Sequence, residues 1–171
     1  DLAGDAVLSN DVPIFTDDKV TLEAMKAYVE KGGNVNAVND YGQSFLMIAS
    51  DTKQLETVKY LVEKGADVNM QDHRGNSALM YSAKNGGLEI AEVLVENKAD
   101  VNLQNVEKKT ALMIAVEEKH LDMTKLLVKH DADITLKDIE GENVLMKASK
   151  NGSLDAIKFF LEKCCEEDKY D

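Results

Sequence analysis

The side chains of this 171-residue chain with the most versatile chemistry are three histidines, two cysteines and seven methionines. Their spacing decides whether that chemistry is used. His73, His120 and His130 could ligate a metal or move a proton, but no carboxylate or cysteine stands at a ligand-like interval from them, so no metal site is expected. Cys164 and Cys165 are adjacent. Neighbours at a helix end are poorly placed to bridge each other, and beside an acidic tail the nucleophilic thiolate is disfavoured. Two thiols make no disulfide framework, which points to a reducing, cytoplasmic setting. G-x-S-x-G, phosphate-loop and Cys/His nucleophile patterns do not occur. The chain is read as a non-enzyme, with no catalytic, cofactor-binding or metal-binding residue assigned.

Four of the methionines, Met47, Met80, Met113 and Met146, stand 33 residues apart. A thioether ladder could hold a soft metal or relay redox chemistry, yet everything around these residues keeps the same step. SFLMIAS (44–50), SALMYSA (77–83), TALMIAV (110–116) and NVLMKAS (143–149) form one series, and GGNVN (32–36), GADVN (65–69), KADVN (98–102) and DADIT (131–135) another. The methionines are then flexible core filler between short helices. The three histidines fall at three different phases of the repeat, which weakens a metal site further. A unit this short cannot bury its own apolar face, so it must stack on its neighbours into a solenoid. An extended open stack suits binding better than a convergent catalytic cleft.

Composition and charge narrow the partner. The chain is 44% hydrophobic but only 5% aromatic, which suits thin helical layers, and its single proline leaves no obvious linker. We expect one continuous domain. The net charge is −12, and Arg74 is the sole arginine. Without a basic stripe to track phosphates, nucleic acid is not expected as a partner. Residues 1–19 carry net −4 and residues 162–171 net −3, read as solvated ends that keep the stack soluble. Apolar runs fall far short of the ~20 residues a membrane helix needs. Membrane association is not expected, and a monomer is.

The unit from Asp72 to Asn102 shows how a repeat is built. Asp72 to Asn76 is a polar cluster with Gly75 where a tight turn needs positive φ. Ser77 stands as N-cap before a short first helix, Asn85-Gly86-Gly87 breaks it, and Leu88 to Glu96 carries an amphipathic second helix. Leu46, Leu79, Leu112 and Leu145 align, as do Leu55, Leu88, Leu121 and Leu154, and Leu61, Leu94, Leu127 and Phe160. These columns predict buried seams between layers.

This pattern, D-x-x-G-x-T-x-L-x-x-A followed by G-x-L-x-x and L-L-x-x-G-A-D-V-N, resembles the ankyrin repeat over residues ~20 to ~163. The resemblance implies an all-α solenoid of stacked helix-turn-helix units joined by β-turn or hairpin fingers. Full repeats would run 39–71, 72–104, 105–137 and 138–171, the last a capping repeat whose acidic tail begins near residue 164. Residues 1–38 would be an N-terminal cap and partial repeat in which only a second helix, Leu22 to Lys31, is legible. Several residues depart from the family pattern. The family's proline before the leucine column is Phe45, Ala78, Ala111 and Val144, and its histidine is the methionine column. The turn glycine of Gly42, Gly75 and Gly141 is Lys108 in the third repeat. The glycine after the second helix, Gly65, becomes Lys98, Asp131 and Cys164. Each left-handed non-glycine costs about 1 kcal/mol, so the C-terminal half is expected to be the less stable one.

The resemblance also places the partner on the concave side: finger tips plus the exposed edge of the first helices. Carried over position by position, that gives Asp40, Tyr41, Gln43 and Asp51 with Thr52; His73, Arg74, Asn76 and Lys84 with Asn85; Val106, Glu107, Lys109 and Glu117 with Glu118; and Ile139, Glu140, Glu142 and Lys150 with Asn151. The aligned repeats agree least at these positions. Tyr41, Val106 and Ile139, apolar at turn tips, and Arg74 are the expected hot spots. Arg74 and Lys84 between acidic neighbours suggest a protein partner with a central acidic spot. The alternative function is a regulatory or small-ligand-sensing ankyrin domain of a larger protein. His120, where the family often has Gly-His, is expected to be structural. Asn69 and Asn102 resemble substrates of the ankyrin asparaginyl hydroxylase.

Overall fold

A computed structural model of the chain describes residues 20–167. Residues 1–19, assigned above to the N-terminal cap, and residues 168–171 of the acidic tail lie outside the described residues. Nine helices follow in order among the described residues: α1 (Leu22–Glu30), α2 (Phe45–Asp51), α3 (Leu55–Glu63), α4 (Ala78–Asn85), α5 (Leu88–Glu96), α6 (Ala111–Glu117), α7 (Leu121–Lys129), α8 (Val144–Lys150) and α9 (Leu154–Glu167). The even-numbered helices are the first of each repeat and the odd-numbered the second. Among the described residues, equivalent helices of successive repeats pack on each other, and from α2 onward the two helices of each repeat also pack together. No strand forms among them. The fingers contribute one isolated bridge, Val38 to Ser44.

Local chemistry sets the boundaries. Ser44, Ser77, Thr110 and Asn143 cap the first helices, each side chain accepting from the backbone N–H of the methionine three residues on, at 3.0–3.4 Å. At the other ends, the last carbonyls of α2, α4 and α6 accept from side chains of the following repeat. Asn85 Nδ2 donates to Ser50 and Asp51 (2.9 and 2.8 Å), His120 Nε2 lies 3.1 Å from the Lys84 carbonyl, and Asn151 Nδ2 donates to Val116 (2.8 Å). His120 thus fastens one repeat to the previous one. Asn85 and Asn151, expected above among the partner contacts, are likewise used for stacking.

The core is the set of aligned columns. Leu61, Leu94, Leu127 and Phe160 are all buried, and truncating one of the leucines to alanine would cost about 2–5 kcal/mol. Met47, Met80 and Met113 are at most 2% exposed, in line with their reading as core filler, but Met146 is 47% exposed. Leu145 is half-buried and Leu154 is exposed. The buried-seam expectation therefore holds for the column ending at Phe160, whereas Leu55, Leu88 and Leu121 are only half-buried, and in the last repeat, where no further layer covers them among the described residues, Leu145 and Leu154 fall outside the seam.

Left-handed backbone recurs at three places in each of the first three full repeats and at two in the fourth. Lys108 (φ 56°), Lys98 (φ 68°) and Asp131 (φ 66°) adopt it where other repeats hold glycine. Lys53 (φ 57°) and Lys119 (φ 60°), between the paired helices, add two positions the sequence did not flag. Cys164, grouped with them above, lies instead inside α9, which runs on where earlier second helices end, so no left-handed penalty arises there. The third repeat holds a non-glycine at all three of its places. Gly75 is constrained twice: φ is 76°, and an added Cβ would sit 2.9 Å from the Asn105 backbone.

Candidate partner-binding face

The four fingers are built alike by one residue each. Asn39, Asp72, Asn105 and Asp138 accept at Oδ1 from the N–H groups two and four residues on, all at 2.9–3.0 Å. This holds the tip residues outward. Successive tips are then bonded to each other: His73 N–H donates to the Tyr41 carbonyl, Val106 N–H to Arg74 and Ile139 N–H to Glu107, at 3.0, 2.9 and 2.9 Å. The apolar tips stand on a pre-ordered ladder. Tyr41 is 72% exposed, Val106 63% and Ile139 68%, with exposed Asp40, His73, Arg74, Glu107 and Glu140 beside them.

Behind the tips, Gln43, Asn76, Lys109 and Glu142 are half-buried. They are engaged in contacts within the chain. Gln43 Nε2 donates to the Tyr81 hydroxyl (3.1 Å), Asn76 Oδ1 accepts from Asn105 (3.0 Å), and Lys109 pairs with Glu107 (3.1 Å) and Glu117 (3.2 Å). On the first-helix edge lie exposed Asp51, Lys84 and Lys150 and half-buried Glu117. Lys150 pairs with Glu142. Arg74 and Lys84 form no side-chain ion pair within 4 Å among the described residues.

Two polar knots in this face involve residues the sequence reading did not single out. Tyr81 donates its hydroxyl to Asp72, and burial, then the Asp72 carboxylate, push its pKa up to about 12. Lys147, its side chain 7% exposed, sits among Asp138, Glu117 (2.8 Å) and Glu142 (3.7 Å). Burial alone would lower the lysine pKa, but Asp138 and Glu117 more than offset it and hold the ammonium above its ordinary range. Asp138 is the mirror case. Burial would raise its pKa, yet Lys147 and the finger N–H groups hold the carboxyl below the usual range. The columns 39/72/105/138 and 48/81/114/147 carried the signal. They read Asn with Ile, Asp with Tyr, Asn with Ile, Asp with Lys: an aspartate appears wherever the facing residue can donate. Glu107, Lys109, Glu117, Asp138, Glu142 and Lys147 help line a cleft of about 320 Å³ between the third and fourth fingers.

A family model described as ankyrin repeats (3 copies) matches residues 18–105 and 79–171. The chain belongs to the ankyrin-repeat family. Ankyrin repeats are generally protein–protein interaction modules, and the fingers and first helices above are this ankyrin stack's version of the surface expected from the resemblance. Among curated proteins no match is found. No helix of the described residues is long and apolar enough to cross a membrane. Cys164 and Cys165 are free and exposed on α9. Asn69 and Asn102 bridge repeats: each accepts from the backbone N–H of the next loop (Asp100, 2.7 Å; Asp133, 2.8 Å) and donates to its carbonyl (Lys98, 3.2 Å; Asp131, 3.4 Å).

Proposed function

We propose that this chain is a non-catalytic ankyrin module that holds a partner protein on its finger and first-helix face. The observation that carries this reading is the row of exposed apolar tips, Tyr41, Val106 and Ile139, fixed by the finger-to-finger ladder. Apolar side chains carried on an ordered backbone and surrounded by polar ones suit a hot spot, since little backbone entropy is lost when they dock. Among the described residues Arg74 and Lys84 form no ion pair and so supply positive charge to this face, and the partner carries an acidic group opposite the second repeat and apolar groups to either side. The groups with the most perturbed protonation, Tyr81 and Lys147, bond Asp72 and Asp138 across the stack. That arrangement supports a structural role for them over a catalytic one. The cleft beside Lys147 gives the small-ligand alternative a location, but its lysines are already matched by the chain's own carboxylates.

The test is affinity capture with wild type and with Tyr41→Ala/Arg74→Ala/Ile139→Ala, all three exposed enough to leave the fold intact by circular dichroism. Loss of a retained protein with the triple variant supports the reading. Equal retention moves the site to the second-helix side or the ends, and capture of a small molecule alone favours ligand sensing.

A further inference from the structure

The polar ladders that join one repeat to the next stop at the fourth repeat, whereas its apolar columns continue to an open face. Asn36, Asn69 and Asn102 each accept from the following loop's N–H, at 2.7–2.8 Å. The fourth member of that column is Thr135, which turns back on Asp133 (2.6 Å). Gln71 and Gln104 donate to the next finger's carbonyl at 3.2 Å, and their successor is Lys137. The left-handed turn after the second helix is replaced at Cys164 by continued helix. A stacked repeat docks through these ladders, so the open face suits a surface that packs without them.

That face is Met146 on α8 with Leu154 (68% exposed) and Leu161 (50% exposed) on α9. The equivalents of Leu161 in earlier repeats, Val62, Val95 and Val128, pack against the core. The face therefore continues the repeat-to-repeat interface, with no layer on top among the described residues. α9 has 14 residues against nine in each other second helix. Leu154, Lys158, Leu161 and Cys165, all exposed, fall at i, i+4, i+7 and i+11, the seam spacing of paired helices.

We propose that this end face docks a second copy of the chain, α9 against α9 in antiparallel sense about a two-fold axis, in place of the monomer expected from the sequence. A two-fold contact must be self-complementary, and this seam is. Centred between residues 159 and 160, it sets Leu154 against Cys165 of the second copy and the stem of Lys158 against Leu161 of the second copy. The Lys158 ammonium then reaches Glu162 of the second copy, an acid exposed on the same helix. Among the described residues, α1 exposes the charged side chains Glu23, Lys26 and Glu30, which do not match the apolar end face for head-to-tail stacking. This inference is independent of the finger-face reading.

Sedimentation velocity on the full 171-residue chain, from about 5 to about 500 µM at moderate salt, tests it. The expected result is a concentration-dependent shift from the 18.9 kDa monomer toward twice that mass. Leu154→Glu/Leu161→Glu should raise the dissociation constant at least ~10-fold while the far-ultraviolet spectrum stays unchanged. Lys158→Glu should weaken association, and Lys158→Glu/Glu162→Lys should restore it. A monomer at the highest concentration overturns the proposal, as does a dimer indifferent to the leucine variant. A change in oligomeric state leaves the finger-face capture experiment unaffected, so the two fail separately.

Discussion

Replacing Lys147 by isoleucine puts into the fourth repeat the residue that the first and third already hold, Ile48 and Ile114. The repeats around those isoleucines carry Asn39 and Asn105, however, and the fourth carries Asp138, whose side chain is 1% exposed. Lys147→Ile therefore strands a buried carboxylate, a change that typically costs about 3–5 kcal/mol. Two finger N–H groups still bond Asp138 Oδ1, and Glu117 is open enough to solvent to be screened, so the expected loss is about 3 kcal/mol, at the lower end of that range. For a chain of this length that lowers Tm by roughly 6–12 °C. Adding Asp138→Asn rebuilds the Asn/Ile pair and should return stability to within about 1 kcal/mol of wild type. Asp138→Asn alone keeps the finger bonds and leaves Lys147 its glutamate partners, so about 1–2 kcal/mol is expected. Denaturant unfolding followed by far-ultraviolet circular dichroism, run as a double-mutant cycle, measures the coupling. The reasoning is refuted if Lys147→Ile is as stable as wild type, or if the double variant is no better than Lys147→Ile.

The same knot predicts pH dependence. Asp138 is held below its usual pKa, so its contribution is present above about pH 4 and is lost as pH falls through the depressed value. Lys147 is held above its usual value, so its contribution is full below about pH 10.4 and fades as pH rises through the raised one. Urea midpoints measured across pH should show both losses in wild type and neither at this knot in the Asn/Ile double variant. Lys108→Gly, Lys119→Gly and Asp131→Gly should each stabilise by about 0.5 kcal/mol, the relief of left-handed strain less the entropy of a freer unfolded chain. By the same argument hydrogen exchange should open residues 105–137 before 39–71, and the reverse order would contradict it. Gly75→Ala should cost clearly more than Gly141→Ala, because both have positive φ but only at Gly75 would the new Cβ meet backbone, with open space at Gly141; equal thermal shifts would refute this.

Nearly all of the frame was legible because it is written four times. The 33-residue columns gave helix starts such as Ser77 and second helices such as Leu88–Glu96, both as found. What they could not give was the difference between a column and its last member. Met146 shares its residue type with buried counterparts and Leu154 with half-buried ones, and among the described residues no further layer covers the last pair. The helical Cys164 was misread for the same reason, since alignment to Gly65 and Asp131 presumes a turn that α9 does not make. At the candidate face, exposure of Tyr41, Val106 and Ile139 followed from their place at a turn. Lys147 and Tyr81 were missed because a helix position two residues past an aligned leucine, Leu145 or Leu79, reads as core. Its polarity makes sense only beside the aspartate that faces it from the finger, nine residues earlier in the chain.

The most direct test of partner binding on the finger face is site-specific photo-crosslinking. A photoreactive amino acid is placed at Ile139 on a finger tip or at Glu92, exposed on α5 among the second helices, and each is irradiated with source-cell lysate. An adduct to the same protein from position 139 and not from position 92 is the result expected. An adduct from position 92 alone, or equal yields from both, would contradict the finger-face account.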